Sequence, residues 1–272
     1  MNNDTVTTHR DGEVYIVRIE RPDAMNAVDP PTAKRLYEAF VAFDRCGQSR
    51  VAVLTGSGGA FCSGFDLKAL AGGKAADWLD ELHFGDDGRP PLGPMGPTRM
   101  MLSKPVIAAI AGPAVAGGME LAAWCDVRVM EKNAYMGVFC RRFGVPLIDG
   151  GTVRLPALVG RGRALDLILT GRRIDAPECL AMGLCERVVP TGHSVQAAIE
   201  WAHELAAFPQ ACLRADRRSV LGDPGHTQAA LEREFETGRS VVEKEAVAGA
   251  RAFAEGAGRH GTKPAASQNN PA

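Results

Sequence analysis

The chain has 272 residues, of which 46% are hydrophobic and 23% are charged, and its 31 basic residues nearly balance its 32 acidic ones. A chain this long and this apolar is not disordered throughout, and it needs neither disulfides nor a metal to fold. The formal net charge of -1 argues against binding to nucleic acid or to a membrane surface through bulk electrostatics.

The cysteines and the uncharged segments indicate in which cellular compartment the protein is expected. The seven cysteines are scattered and form no C-x-x-C pair, which predicts reduced and mostly buried thiols. Residues 1–10 are polar and lack the apolar segment of a secretion signal. The longest uncharged run, residues 105–119, is broken by glycines and is too short to span a membrane. We therefore expect a soluble, cytoplasmic protein with no membrane or nucleic-acid partner.

The N-terminal part predicts strands that alternate with helices. Apolar and β-branched runs predict strands over residues 13–20, 51–55, 105–111 and 126–130. Two prolines followed by Leu36, Phe40 and Phe43 at helical spacing predict a helix over residues 31–46. This alternation is typical of an α/β fold whose strands are buried on both faces of the sheet.

The character of the chain changes after Gly151, because the remaining segments are predominantly helical. Helices are predicted over residues 161–170, 176–183, 194–208, 210–221 and 227–255, and residues 186–189 predict one more strand. No linker separates the two parts. We therefore predict a single domain over residues 13–255, with a core at 13–190 and a helical region at 191–255.

Three segments lack the patterns of regular structure. Residues 72–98 combine several glycines and prolines with polar residues, which predicts a long irregular loop. Residues 1–12 predict a flexible N-terminus. Residues 256–272 contain no Leu, Ile, Val or Phe, which predicts a disordered tail.

Several familiar catalytic patterns are missing from the sequence. It contains neither a G-x-x-x-x-G-K-[ST] phosphate loop nor a G-x-S-x-G nucleophile motif, and its Gly-rich run at residues 56–60 lacks the third glycine of a dinucleotide site. The six histidines are scattered. The sequence therefore gives little support to nucleophilic catalysis or to a metal site, and we predict no metal.

Two segments have the form of a strand that passes through glycines into a helix. They are residues 60–67, which follow the strand at 51–55, and residues 112–121, which follow the strand at 105–111. Such a junction exposes backbone N–H groups and the positive end of a helix dipole, and glycine lets a ligand approach the backbone closely. Two junctions that converge would form an oxyanion hole.

Glu120 lies three residues after Gly117 in the second segment. If a helix begins at Gly117, the two share a face with about 4.5 Å of rise between them. That arrangement suits polarising a carbonyl and moving a proton beside it. The alternative is that Gly117 and Gly118 permit close packing and Glu120 is a surface or capping acid. The apolar run after Glu120 predicts a buried helix, and a buried carboxylate is costly unless it is paired or functional.

Several motifs in order resemble the enoyl-CoA hydratase/isomerase (crotonase) superfamily, from about residue 13 to residue 255. They are RPDAMNA at residues 21–27, AFCSGFDL at 60–67, KPVIAAIAG at 104–112, GGMELA at 117–122 and GGT at 150–152. The resemblance implies a crotonase-like spiral of ββα units with a helical C-terminal region that takes part in trimer formation. Trimers of this family often pair into hexamers, so a homotrimer or hexamer is expected.

The resemblance also implies a substrate and a binding mode. The substrate is expected to be an acyl-CoA thioester whose carbonyl lies between the backbone N–H groups of Phe65 and Gly117. No cofactor is expected, because coenzyme A is part of the substrate. Contacts to the CoA portion and the pantetheine are expected from Ala24, Phe65, Asp66, Leu67 and Lys68, with Lys68 near the phosphates.

The sequence departs from the family at one of the two hydratase glutamates. Glu120 matches the first glutamate, whereas spacing places Cys140 at the second. A thiol with a pKa of about 8.5 is a poor replacement for a carboxylic acid that delivers a proton. Asp149, just before the pair of glycines at 150–151, is the candidate compensating acid, and the alternative is a turn residue.

The resemblance makes hydration of a 2-enoyl-CoA the leading hypothesis, with Glu120 as acid and base. Two alternatives stay open. One is a double-bond isomerisation or another reaction of the superfamily that needs a single carboxylate. The other is a non-catalytic acyl-CoA-binding protein that kept the pocket and lost the chemistry.

Overall fold

Two sheets organise the computed structural model, which describes residues 4–72, 75–82, 84 and 89–257. In chain order its strands are Val6–Asp11 (β1), Val14–Ile19 (β2), Val51–Gly56 (β3), Val106–Ile110 (β4), Pro113–Val115 (β5), Val127–Glu131 (β6), Tyr135–Gly137 (β7), Ile174–Asp175 (β8) and Arg187–Val189 (β9). The larger sheet has the order β1-β2-β3-β4-β6-β9, and the smaller has the order β5-β7-β8.

The larger sheet is parallel from β2 to β9, and β1 is antiparallel to β2. Parallel neighbours require a crossover, and helices or the smaller sheet supply it. The successive pairs β4–β5 and β6–β7 each contribute one strand to each sheet. Residues 60–66 follow β3 in the same way, because Cys62 forms a parallel bridge with Ala114 of β5. The chain therefore winds in repeated turns with a helix after each.

Eleven α-helices lie within the described residues. They are Pro30–Arg45 (α1), Leu67–Ala71 (α2), Ala75–Glu81 (α3), Gly117–Trp124 (α4), Gly151–Val159 (α5), Arg161–Thr170 (α6), Ala176–Met182 (α7), Ser194–Ala207 (α8), Gln210–Leu221 (α9), Pro224–Val241 (α10) and Val247–Ala254 (α11). The α/β class and the helical C-terminal region are as predicted, with small shifts at the element ends.

The strands of the larger sheet are buried on both faces. On one face, Val53 and Ile107 pack against a stripe of alanines on α8. The stripe consists of Ala198, Ala202 and Ala206, whose small side chains let the helix lie close to the sheet. On the other face the alternate strand residues join the main core beneath α1 and the smaller sheet. Burial on both faces explains why these strands are continuous apolar runs in the sequence.

The N-terminus differs from the prediction. Residues 6–11, predicted to be flexible, form the edge strand β1, whose register pairs Val6 with Ile19 and Asp11 with Val14. Its side chains are mostly exposed, so the polar sequence THRD carries no apolar alternation. Backbone pairing to β2 holds this strand, and only Val6 also packs against the core.

Residues 72–98 were predicted to be one irregular loop, and the structure corrects this over part of the segment. Helix α3 lies inside it, and Trp78, Leu79 and Leu82 are buried. A 3-10 helix, Pro97–Arg99, ends the segment. The glycines and prolines around α3 obscured its short apolar face. Residues 73–74, 83 and 85–88 lie outside the described residues.

The C-terminal helix predicted over residues 227–255 is divided. A π-helical turn, Val242–Ala246, separates α10 from α11. The π turn changes the register of the helix face and turns Val242 toward a cavity described below. The predicted tail lies outside the described residues from residue 258 onward. Among the helices that are described, none combines the length and the apolar character that crossing a bilayer requires.

Candidate active site

One cavity of about 110 Å³ brings together the residues to which the sequence analysis assigned chemistry. Phe65, Gly117, Glu120, Cys140 and Asp149 all line it. Most other lining side chains are apolar and include Leu67, Leu70, Trp78, Leu79, Met95, Phe139, Phe143, Ile148 and Val242. Charges in such an apolar enclosure interact more strongly than they do in water.

The amides of Phe65 and Gly117 lie side by side because two glycines remove the side chains between them. Gly64 has φ +99°, and a Cβ there would lie 2.8 Å from Ala116 Cβ and 3.0 Å from the Gly117 nitrogen. A Cβ on Gly118 would lie 2.1 Å from the Cys62 carbonyl oxygen. The segment after β3 therefore contacts the start of α4 directly, as the two glycine-rich motifs predict.

Both of these amides are available to a ligand. Among the described residues, no acceptor takes a hydrogen bond from the N–H of Phe65 or of Gly117. Ala116, the residue before α4, has φ 53° and ψ −128°, a left-handed backbone that non-glycine residues seldom adopt. Its own N–H donates to the Gly137 oxygen at 2.8 Å, which holds this conformation in place. The junction thus presents two N–H groups to the cavity.

Glu120 is buried, with 4% of its surface exposed, and its carboxylate is held from one side. Its Oε1 accepts hydrogen bonds from the Asp149 and Gly151 nitrogens, at 2.9 Å each. Burial raises the pKa of Glu120 well above its ordinary value, and the negative charge of Asp149 raises it further. The surface or capping alternative does not fit this position. Glu120 instead has the environment of a carboxyl whose pKa is strongly raised, which is common at functional sites.

Cys140 lines the same cavity as Glu120. It belongs to the 3-10 helix Phe139–Phe143 and is buried. Burial raises the pKa of its thiol to about 12, and the charge of Glu120 acts in the same direction. Cys140 therefore contributes a neutral thiol and no carboxyl at this wall of the cavity.

Asp149 is a buried carboxyl with defined partners. Its Oδ1 accepts a hydrogen bond from the Met95 nitrogen at 2.9 Å and a short one from the Thr98 hydroxyl. No described residue donates to its Oδ2. Burial raises the pKa of Asp149 to about 6. A plain turn residue would face solvent, whereas Asp149 is buried and is a second carboxyl that lines the cavity.

Only some of the residues that were expected to contact the CoA portion of the substrate line the cavity. Phe65 and Leu67 line the cavity, whereas Ala24, Asp66 and Lys68 do not. The Asp66 carboxylate accepts from the Arg21 guanidinium at 2.9 Å and from the Lys68 nitrogen at 3.0 Å. Lys68 itself is exposed. Contact of Ala24, Asp66 and Lys68 with CoA stays a prediction.

Sequence reasoning missed the residues that fix the two carboxyls. Thr98 and the Met95 amide, which hold Asp149, come from the segment predicted to be an irregular loop. Glu234, on α10, accepts from the Gly150 and Thr152 nitrogens behind the cavity. A glutamate in an amphipathic helix carries no local signal of such a role. The one available signal is that Glu234 lies three residues after the apolar Leu231, which places both on the same, buried face of the helix.

The described residues hold no group of three or more His, Cys, Asp or Glu side chains placed to bind a metal ion. The cavity instead offers two backbone donors, two carboxyls and an apolar wall. Such a set can polarise a carbonyl oxygen and move protons next to it.

Comparison with known proteins identifies relatives along nearly the whole chain. A family model described as Enoyl-CoA hydratase/isomerase matches residues 9–258. The enoyl-CoA hydratase EchA19 of Mycobacterium tuberculosis is 35% identical over 218 residues, which is 78% of this chain and 78% of that protein. A carnitinyl-CoA dehydratase of Salmonella typhi is 38% identical over 198 residues, 72% of each chain.

Solved structures give the same result for the fold. A carnitinyl-CoA hydratase from Mycobacterium avium superimposes with a TM-score of 0.84 at 29% identity, over 97% of this chain and 99% of that chain. EchA1_1 from Mycobacterium paratuberculosis superimposes with a TM-score of 0.83 at 27% identity, with the same coverage. The expected architecture, a spiral of ββα units followed by helices, is therefore confirmed.

Proposed function

This chain belongs to the enoyl-CoA hydratase/isomerase family, and from that premise we propose that it adds water to the double bond of a 2-enoyl-CoA thioester. Two of its relatives are named as a hydratase and a dehydratase, which are the two directions of one type of reaction. The proposal requires no cofactor, because coenzyme A enters as part of the substrate.

The observation that carries the proposal is the meeting of two unpaired amides and a buried carboxyl in one apolar cavity. The N–H groups of Phe65 and Gly117 are positioned to donate to the thioester oxygen. Polarisation of that carbonyl makes the β-carbon electrophilic and stabilises the enolate that follows attack. Each such donor is worth roughly 3–4 kcal/mol in comparable sites.

Glu120 is the proposed general base. The water oxygen bonds to the β-carbon, one water proton passes to the Glu120 carboxylate, and the electrons of the double bond move into the thioester enolate. The enolate then collapses as its α-carbon takes up a proton. Burial raises the pKa of Glu120, which makes its carboxylate a stronger proton acceptor.

Asp149 is the proposed second carboxyl, in place of the glutamate that Cys140 replaces. With Oδ1 occupied by Met95 and Thr98, Oδ2 is the atom left to carry and deliver the α-proton. A pKa near 6 keeps part of the population protonated at neutral pH. The thiol of Cys140, with a pKa of about 12, would hold its proton too tightly.

The proposal is tested with crotonyl-CoA, by following loss of the enoyl absorbance and confirming by mass that the product has gained one water. We expect turnover by the native protein and a loss of about 10³-fold in kcat for Glu120→Gln. Cys140→Ser, which keeps a neutral side chain, should stay within about tenfold of the native rate. Binding of butyryl-CoA, which lacks the double bond, controls for an intact pocket.

Two outcomes would contradict the proposal. Tight butyryl-CoA binding without water addition to any 2-enoyl-CoA would indicate a binding protein. A shift of the double bond in a 3-enoyl-CoA without gain of water would indicate an isomerase that uses one carboxyl.

We further propose that the protein assembles as a homotrimer or a hexamer. Exposed apolar side chains on α6 and α9 support this, because Leu169 and Val220 are 68% and 87% exposed. Light scattering should give a mass of three or six times 28.8 kDa. A monomer at micromolar concentration would contradict it.

A further inference from the structure

The turn that begins α5 is held by Glu120 from one side. The nitrogens of Asp149 and Gly151 both donate to Glu120 Oε1 at 2.9 Å. Because these bonds occupy Oε1, they leave Oε2 for the substrate and fix the rotation of the carboxyl group. The orientation of Glu120 therefore depends on the conformation of residues 149–152.

A second carboxylate holds the same turn from the other side. Glu234 Oε2 accepts from the Gly150 nitrogen at 2.6 Å, and Glu234 Oε1 accepts from the Thr152 nitrogen at 2.8 Å and its hydroxyl at 2.7 Å. Four successive amides thus alternate between two carboxylates. An ionised carboxylate, which only accepts hydrogen bonds, matches all three donors that reach Glu234.

The buried face of helix α10 positions Glu234 against the turn of residues 149–152. Leu231, Glu234, Phe235 and Gly238 form its buried face. A Cβ on Gly238 would lie 2.2 Å from Ile148 Cγ2, so the glycine allows the helix to approach the segment before the turn. Glu234 is 8% exposed and is not among the residues that line the cavity. It touches the turn and not the space in which substrate would bind.

We propose that Glu234 is a positioning residue of the reaction, which orients the Glu120 carboxylate by fixing the turn of residues 149–152. This inference rests on the proposed function of Glu120. A displaced base costs rate even when the substrate still binds, because proton transfer requires the reacting atoms within hydrogen-bond reach. Glu234 should therefore affect kcat far more than the affinity for acyl-CoA.

The charge of Glu234 provides a second readout. The charged groups that face Glu234 from the surrounding elements are Glu120, Asp149, Arg99 and Arg154. On α10 itself, the negative charge of Glu232 raises the pKa of Arg99. Arg154 Nη1 donates to the backbone carbonyl oxygen of Asp149 at 2.9 Å, and the positive charge of Arg154 partly balances the negative charges. After burial, the charge of Glu234 is among the causes that raise the pKa of Glu120 and of Asp149. Its removal should lower both values.

The experiment compares Glu234→Gln with Glu234→Asp and with Glu236→Gln, a control at an exposed position on the same helix. Glutamine keeps the size of the side chain but places an NH₂ group against one of the N–H donors of the turn. We expect Glu234→Gln to lower kcat for crotonyl-CoA by about 10- to 100-fold, with the Kd of butyryl-CoA within about twofold of native. The acid limb of its pH–kcat/KM profile should move to lower pH.

Glu234→Asp keeps the charge and should recover part of the lost rate, and Glu236→Gln should match the native protein. Thr152→Val removes only the hydroxyl donor from an exposed position, so it tests the same contact if Glu234→Gln does not fold. It should lower kcat by about threefold or more.

A Glu234→Gln protein with native kcat and an unmoved acid limb would overturn the inference. So would a loss of kcat matched by an equal loss of butyryl-CoA affinity, since that pattern indicates general damage to the fold. Native kcat for Thr152→Val would overturn it where Glu234→Gln cannot be purified. Failure of the native protein to hydrate any 2-enoyl-CoA would instead overturn the proposed function itself, and the inference with it.

Discussion

The buried carboxyl of Asp149, the proposed proton donor, also affects the stability of the fold. Its raised pKa, about 6 against an ordinary value of 3.8, means that the folded protein holds this proton more tightly than the unfolded chain does. The stabilisation is complete below the unfolded pKa and is lost as pH rises through the folded pKa. At neutral pH the ionised carboxylate is therefore a cost to the folded state.

Asp149→Asn removes this titration and keeps an oxygen for the Met95 and Thr98 donors. The free energy of unfolding of the variant, minus that of the native protein, should increase by on the order of 2–3 kcal/mol between about pH 4 and about pH 7. Urea unfolding at several pH values measures the difference.

Asp77→Asn, at an exposed position on α3, is the matched control and should leave the pH dependence unchanged. If the Asp149→Asn protein lost stability relative to native as pH rose, the environment assigned to Asp149 would be wrong.

The sequence predicts some residues of the candidate site better than others for a physical reason. Glu120 can be identified because it belongs to a local sequence pattern. Two glycines precede it by about one helical turn, and the residues around it are apolar. Cys140 and Asp149 follow from spacing within the same stretch. Glu234, Thr98 and the Met95 amide act across distances in the chain at which no local pattern exists, and three-dimensional packing alone brings them to the site.

At the scale of elements, the start of α4 depends on two adjacent glycines that have different surroundings. A Cβ on Gly118 would meet the Cys62 backbone oxygen at 2.1 Å, whereas a Cβ on Gly117 would meet the Met95 side chain, with its sulfur at 2.7 Å. The Cys62 backbone cannot make room for a Cβ at position 118 unless β5 and the segment before α2 also move. The Met95 side chain can make room for a Cβ at position 117 by changing rotamer.

We therefore expect Gly118→Ala to lower the free energy of unfolding by about 3 kcal/mol or more, and Gly117→Ala by no more than about 1 kcal/mol. Chemical denaturation of both variants checks the contrast. Equal losses for the two would mean that the close approach at Gly118 is not rigid.

Helices with a continuous amphipathic pattern were predicted closely, as for α6 and α9, whose observed bounds match the predicted ones. Helix α5 was missed because it begins with glycine and contains Pro156, both of which argue against a helix in a sequence. Its first amides are satisfied by Glu120 and Glu234 instead of by a local cap. Helix α3 was missed because its few buried residues lie among glycines and prolines.

At the scale of the whole molecule, the cavity is assembled from separate parts of the chain. Its walls come from the segment after β3, from α3, from α4, from the residues between β7 and α5, and from Val242 at the π turn. No isolated segment contains the site. Ligand binding is therefore coupled to the global folding equilibrium.

Butyryl-CoA at roughly 100 times its Kd should add about 2.7 kcal/mol to stability, which corresponds to a rise in Tm of roughly 5–10 °C. Thermal unfolding followed by circular dichroism measures the shift, and free butyrate at the same concentration is the control. Equal shifts with butyrate, or none with butyryl-CoA, would show that the cavity does not hold the acyl thioester.

The distribution of the cysteines has a practical consequence. Five of the seven thiols are buried, and Cys46 and Cys212 are the two that solvent reaches. A hydrogen bond from the Ser49 hydroxyl lowers the pKa of Cys46 to about 7, so a large share of it is thiolate at neutral pH. The unmodified chain thus carries its own attachment points for maleimide dyes, and alkylation under native conditions can be counted by mass without engineering a single residue.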